Sequence, residues 1–97
     1  MVLNNRQVRF LRGLTHKLSP VVMVGDKGLS ENVFTEIDTA LEHHELIKVR
    51  IRADREQRRT WMDEIAGTCK AEQVHSIGQV ACYYRRNPKK PVIELPK

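Results

Sequence analysis

Between Asn5 and about Leu18, apolar Val8, Leu11, Leu14 and Leu18 recur at three- and four-residue spacing. That period is helical, and it predicts an amphipathic first helix with Asn4 or Asn5 as its cap. Ser19-Pro20 closes the segment, because proline pushes the residue before it out of helical geometry. Val21 to Val24 is continuously apolar and predicts a strand in the interior of a sheet. Ser30 is a good cap for a second helix, whose apolar stripe is Val33, Phe34, Ile37, Ala40 and Leu41.

The stretch LIKVRIR, Leu46 to Arg52, alternates strictly. Ile47, Val49 and Ile51 point one way, and Lys48, Arg50 and Arg52 the other. Asp54 can cap a third helix with Trp61, Met62, Ile65, Ala66 and Cys69 on its apolar side. Val74 to Ile77 and Val80 to Arg86 read as strands joined through Gly78-Gln79, since glycine at the first central position suits a two-residue hairpin. NPKKPVIELPK, with three prolines, predicts an extended tail over 87–97. The order is α-β-α-β-α-β-β. Helices that connect strands by right-handed crossovers imply a two-layer α/β domain with a four-stranded mixed sheet. At 97 residues the chain makes one domain, with a core over about 4–86 that needs neither disulfide nor metal to fold.

Charge changes the picture. The formal net charge of +5 points to an anionic partner. The cations are also sorted. Arg6, Arg9, Arg12 and His16 occupy the back of the first helix without any acid, whereas the second helix carries Glu31, Asp38 and Glu42 behind its stripe. Lys48, Arg50 and Arg52 line up on one strand face and repel one another. Arg55, Arg58 and Arg59 sit near the start of the third helix, where they oppose its dipole. Folding alone explains neither choice.

Enzyme chemistry finds no support. Cys69 and Cys82 fall on mostly apolar faces and read as reduced, buried thiols, with no spacing that suits zinc. His43 and His44 complement the negative end of the second helix, and adjacent helical residues do not share a face. No Ser/His/Asp arrangement or paired carboxylates occur, so no catalytic residue, metal or cofactor is expected. MVLNNRQVRF lacks the apolar core of a signal peptide, and no apolar run reaches spanning length. The cytoplasm is the expected location.

VVMVGDKGLSENV places Gly25, Asp26, Lys27 and Gly28 between a strand and a helix. The loop is too short for a P-loop and lacks the following Lys-Ser/Thr. A GxxG turn can instead present successive N–H groups at the positive end of the next helix. KH domains use this device to clamp a single strand. Alone, the pattern reads better as a simple tight turn. Its position, with basic rows elsewhere on the domain, favours the approach of phosphates.

Together with ALEHHELIKVRI and ACYYRRN, this stretch resembles the CRM domain (chloroplast RNA splicing and ribosome maturation), in its stand-alone bacterial YhbY-type form. The resemblance implies a fold like the C-terminal domain of a bacterial translation initiation factor. It also implies RNA binding, association with precursors of the large ribosomal subunit, and a part in ribosome assembly. The family's GxxG loop falls on Gly25, Asp26, Lys27 and Gly28. Arg6, Arg9, Arg12, Lys48, Arg50 and Arg52, with Arg85 and Arg86 of the Tyr-Arg-Arg strand, complete the candidate RNA-binding residues. A monomer is expected, with ribosomal RNA as partner and neither a membrane nor a small-molecule substrate. One alternative is a chromatin-like protein that binds duplex DNA, disfavoured because the chain has no basic recognition helix or long charged arm. Another is a protein-interaction module using the acidic second helix or the tail. Competition between structured RNA and duplex DNA separates the first, and binding that persists in high salt would mark the second.

Overall fold

The computed structural model describes residues 2–97. Its elements are α1 (Asn5–Thr15), β1 (Val22–Val24), α2 (Glu31–His44), β2 (Leu46–Ile51), α3 (Arg55–Cys69), β3 (Glu72–Ile77) and β4 (Val80–Tyr84). The sheet order is β1-β2-β4-β3, with β1 parallel to β2 and the other pairs antiparallel. This is the mixed four-stranded α/β arrangement expected from the alternation of helical and strand periods.

Local chemistry sets the helix starts. Asn4 Oδ1 accepts from the Gln7 amide at 2.8 Å while Gln7 Oε1 accepts from the Asn4 amide at 3.0 Å, a reciprocal capping box. Ser30 and Asp54 each accept one amide, from Val33 and Gln57. At its other end α1 stops at Thr15, short of Leu18. The Lys17 and Leu18 amides turn back to the Leu14 and Thr15 carbonyls, a tightening that satisfies two of the last carbonyls of the helix.

β2 and β4 divide their side chains between two cores, while β1 feeds only the first and β3 only the second. Val22, Val24, Ile47, Val49, Ile51, Ala81 and Tyr83 pack with Ile37 and Leu41 of α2 and Met62 and Ile65 of α3. Leu46, Val74, Cys82 and Tyr84 pack with Leu11 of α1. Because successive strand residues face opposite ways, α2 and α3 cover one face of the sheet and α1 lies on the other, over β2 and β3. Fully buried Ile37, Leu41, Ile51 and Ile65 each stabilise the fold by roughly 1.5–3 kcal/mol. The buried Tyr83 hydroxyl donates to the Met62 carbonyl at 2.9 Å, so it costs little to desolvate.

Two expectations are corrected. β1 is an edge strand, not an interior one, and Val21 and Met23 are exposed. β4 fills the far side of β2, which leaves β1 a single neighbour. In α1 the inward position belongs to Thr15 rather than Leu14. Thr15 can be buried because its hydroxyl donates to the Arg12 carbonyl at 2.6 Å.

The tail is extended but pinned. Glu45 is fully buried; its Oε2 accepts from the Asn87 amide at 2.6 Å, and its Oε1 from Val92 and Ile93 at 2.6 and 2.7 Å. Burial pushes the carboxyl pKa up. The three amide donors and the Arg86 charge outweigh it and hold the pKa below the ordinary glutamate value. Beyond this anchor, Ile93 and Leu95 pack on the Leu11 core, and Gln7 Nε2 donates to the Pro96 carbonyl at 3.0 Å.

Candidate nucleic-acid interface

The Gly25–Gly28 segment is a one-turn reversal closed by the Gly28 amide donating to the Gly25 carbonyl at 2.9 Å. Its two glycines do different work. Gly28 has φ +71°, and a Cβ placed there would lie 2.8 Å from Trp61 Cζ2. Only glycine lets the loop rest on the α3 indole in that conformation. Gly25 lacks a positive φ, and a Cβ there would meet nothing within 4 Å. The open side of the turn is therefore at Gly25. Asp26 and Lys27 project into solvent, and Ser30 begins α2 directly behind, so the positive helix end adjoins the turn.

Backbone pairing gathers further groups at this end of the sheet. The Arg52 amide donates to the Val24 carbonyl at 2.9 Å, and the Ile51 amide to the Gln79 carbonyl at 2.7 Å. The first places Arg52 beside the loop; the second brings in the Gly78-Gln79 hairpin. Arg55, Arg58 and Arg59 of α3 line a shallow groove with Gln73, Ser76 and Gly78. Arg58 is oriented by donating to the Ala53 carbonyl at 2.8 Å.

The basic rows of α1 and β2 meet on the sheet face that α1 covers in part. Lys48 and His75 both pair with Cys82, so they flank it on neighbouring strands. His75 reaches this face through a bulge between Gln73 and His75, which turns Val74 and His75 to the same side. Arg12 and His16 lie close enough that, after burial, they and Lys48 hold the His75 pKa below its usual value. Around this group Arg50 and Arg52 are exposed, as are Arg6 and Arg9 farther along α1. The cysteine between the strands is inert. Both thiols are free and buried, and burial raises Cys82 and pushes Cys69 to about 11.

Arg85 and Arg86 lie elsewhere. Tyr84 pairs with Leu46 at the start of β2, whereas the glycine loop adjoins the end of β2. A six-residue strand separates the two ends by about 20 Å. Arg85 commits its guanidinium to Asp38 Oδ1 at 2.8 Å, the Cys69 carbonyl at 2.9 Å and the Asp38 carbonyl at 3.1 Å. It ties α2, α3 and β4 together. Arg86 is exposed beside the tail.

Arg55, Arg59, His16 and His75 are thus near the candidate surface, in addition to the RNA-binding residues expected from the sequence. For the first two, cations that oppose the α3 dipole are a visible signal. Nothing in the alternation of β3 announces the bulge that presents His75.

Residues 3–85 match the family model of the CRS1 / YhbY (CRM) domain. An RNA-binding protein of Haemophilus influenzae is 46% identical over 96 residues, covering 98% of this chain and 96% of its own. A probable RNA-binding protein of Pseudomonas aeruginosa is 41% identical over 90 residues, covering 92% and 86%. Among solved structures, a hypothetical RNA-binding protein of Staphylococcus aureus superposes with a TM-score of 0.83 at 32% identity, covering 98% of this chain and 100% of its own. None of these relatives is named as an enzyme. With the fold, the glycine turn and the match across nearly its whole length, the chain belongs to the CRS1 / YhbY (CRM) domain family.

Proposed function

We propose that this chain is a non-catalytic, monomeric RNA-binding protein of the cytoplasm, acting on ribosomal RNA in precursors of the large subunit during ribosome assembly. The observation that carries RNA binding is the meeting of the α1 and β2 cations on one sheet face whose end holds the open Gly25 turn. The RNA-binding names of the relatives support the same reading. Duplex DNA fits less well. The exposed cations are spread over α1, β2, the start of α3 and the loop, and are not gathered on one projecting helix that could enter the major groove.

Replacing Lys48, Arg50 and Arg52 by Gln will flatten the salt dependence of RNA affinity, lowering the slope of log K against log salt by roughly 2. The thermal midpoint will move by only a few degrees, since the three are at most half-buried. An unchanged slope would remove the β2 row from the interface. The ribosomal assignment is tested by crosslinking in cells and by sedimentation. Large-subunit ribosomal RNA should dominate the crosslinked reads. An Arg6→Glu, Arg9→Glu, Arg12→Glu variant should lose co-sedimentation with large-subunit precursors while staying folded. Reads dominated by other RNAs would overturn the assignment, and normal co-sedimentation would return α1 to a purely architectural role.

A further inference from the structure

The sheet face on the α1 side is covered only in part. Its inner row, Lys48, Cys82 and His75, is centred on a cysteine buried with Leu11. One step further along the strands lies Met23, Arg50, Val80 and Ile77, a row that crosses all four strands. Met23 is 53% and Ile77 68% exposed, with Arg50 also open between them. The row thus offers apolar contact at both ends, with the half-buried Val80 beside Ile77 and a guanidinium between them and Met23.

The surroundings select the occupant. Neither row contains an acid, and Arg12 and His16 of α1 add to the positive side. A second copy laid face to face would oppose these cations to one another. The chain's own tail is pinned by Glu45 at the opposite end of the sheet. The partner must therefore offer flat apolar faces and negative charge together. Met23 precedes Gly25 by two residues, about 7 Å along the strand, so the outer row adjoins the glycine turn.

We propose that the row Met23, Arg50, Val80 and Ile77 seats unpaired bases of a single RNA strand whose phosphates lie along Lys48, Arg52 and the Gly25 turn. The proposal rests on the RNA-binding reading above. It adds that the preferred RNA is single-stranded. Four strands give a row about 14 Å wide, the kind of platform on which sheet-based RNA modules stack two or three bases. The Arg50 guanidinium supplies a planar stacking partner, and Met23, Val80 and Ile77 supply apolar contact. A duplex hides its base faces and could offer this row only phosphates.

A Met23→Thr, Ile77→Thr variant keeps strand-favouring side chains and all charges. Its affinity for a short oligouridylate should fall about tenfold, with the salt slope and the affinity for an RNA duplex of equal length unchanged. On the wild-type protein, an oligouridylate carrying one 4-thiouridine should crosslink to the peptides that hold Met23 or Ile77. Unchanged oligouridylate affinity, an equal loss on duplex, or crosslinks confined to other peptides would overturn the platform. Failure of the wild-type protein to bind either RNA would instead overturn the RNA-binding reading itself.

Discussion

Gly28→Ala will destabilise the protein by about 3 kcal/mol, whereas Gly25→Ala will leave its stability nearly unchanged. At Gly28 two costs combine. A side chain at φ +71° costs about 1–2 kcal/mol. The Cβ would also sit 2.8 Å from Cζ2 of Trp61, and forcing such overlap costs about 1–3 kcal/mol. The indole cannot retreat freely, because Trp61 packs against the main core. For a domain of this size the thermal midpoint should fall by roughly 15 °C. Trp61 is the sole tryptophan, so its fluorescence reports the transition at the place perturbed. Equal midpoints for Gly28→Ala and wild type would refute the assignment of Gly28 to loop packing. Gly25 is the position at which to test RNA contact, because a Cβ there meets nothing within 4 Å, so Gly25→Leu should lower RNA affinity with far less loss of stability than a substitution at Gly28.

This division of labour shows what the sequence could carry. LIKVRIR declared its two faces, Ser30 and Asp54 their helix starts, and Gly78 its hairpin, because each depends on neighbours within a few residues. The two glycines of the turn looked equivalent. What separates them is an indole contributed by α3, and no local pattern encodes that contact. The same limit hid the edge position of β1, since an apolar run does not state how many neighbours its strand will have. Arg85 looked like another surface cation next to Arg86 until Asp38 and the end of α3 were brought to it. Glu45 did leave a trace. An acid at the C-terminal end of a helix opposes the dipole, and such a choice needs a reason from outside the helix.

That reason gives the second large effect: Glu45→Gln will release residues 87–95 and cost about 3 kcal/mol. The amide oxygen of glutamine can still accept from Val92 and Ile93 in the place of Oε1. Its NH2 group would then face the Asn87 amide, donor against donor, where Oε2 now accepts at 2.6 Å. The remaining bonds also lose the charge that strengthens them. Acid should act on the wild type in the same way. Its folded carboxyl pKa lies below the ordinary value of 4.5, so the stabilisation is complete above that value and disappears as pH falls through the folded pKa. Amide protection at Val92 and Ile93 should therefore collapse in acid in the wild type and be weak at every pH in Glu45→Gln. Protection that persists in Glu45→Gln at neutral pH would show that Ile93 and Leu95 dock without the carboxylate. If protection is lost as expected, α1 loses the packing of Ile93 and Leu95 and the Gln7 bond to Pro96. Arg12 stands on that helix, so a weaker RNA affinity should accompany release of the tail although no RNA-facing residue has changed.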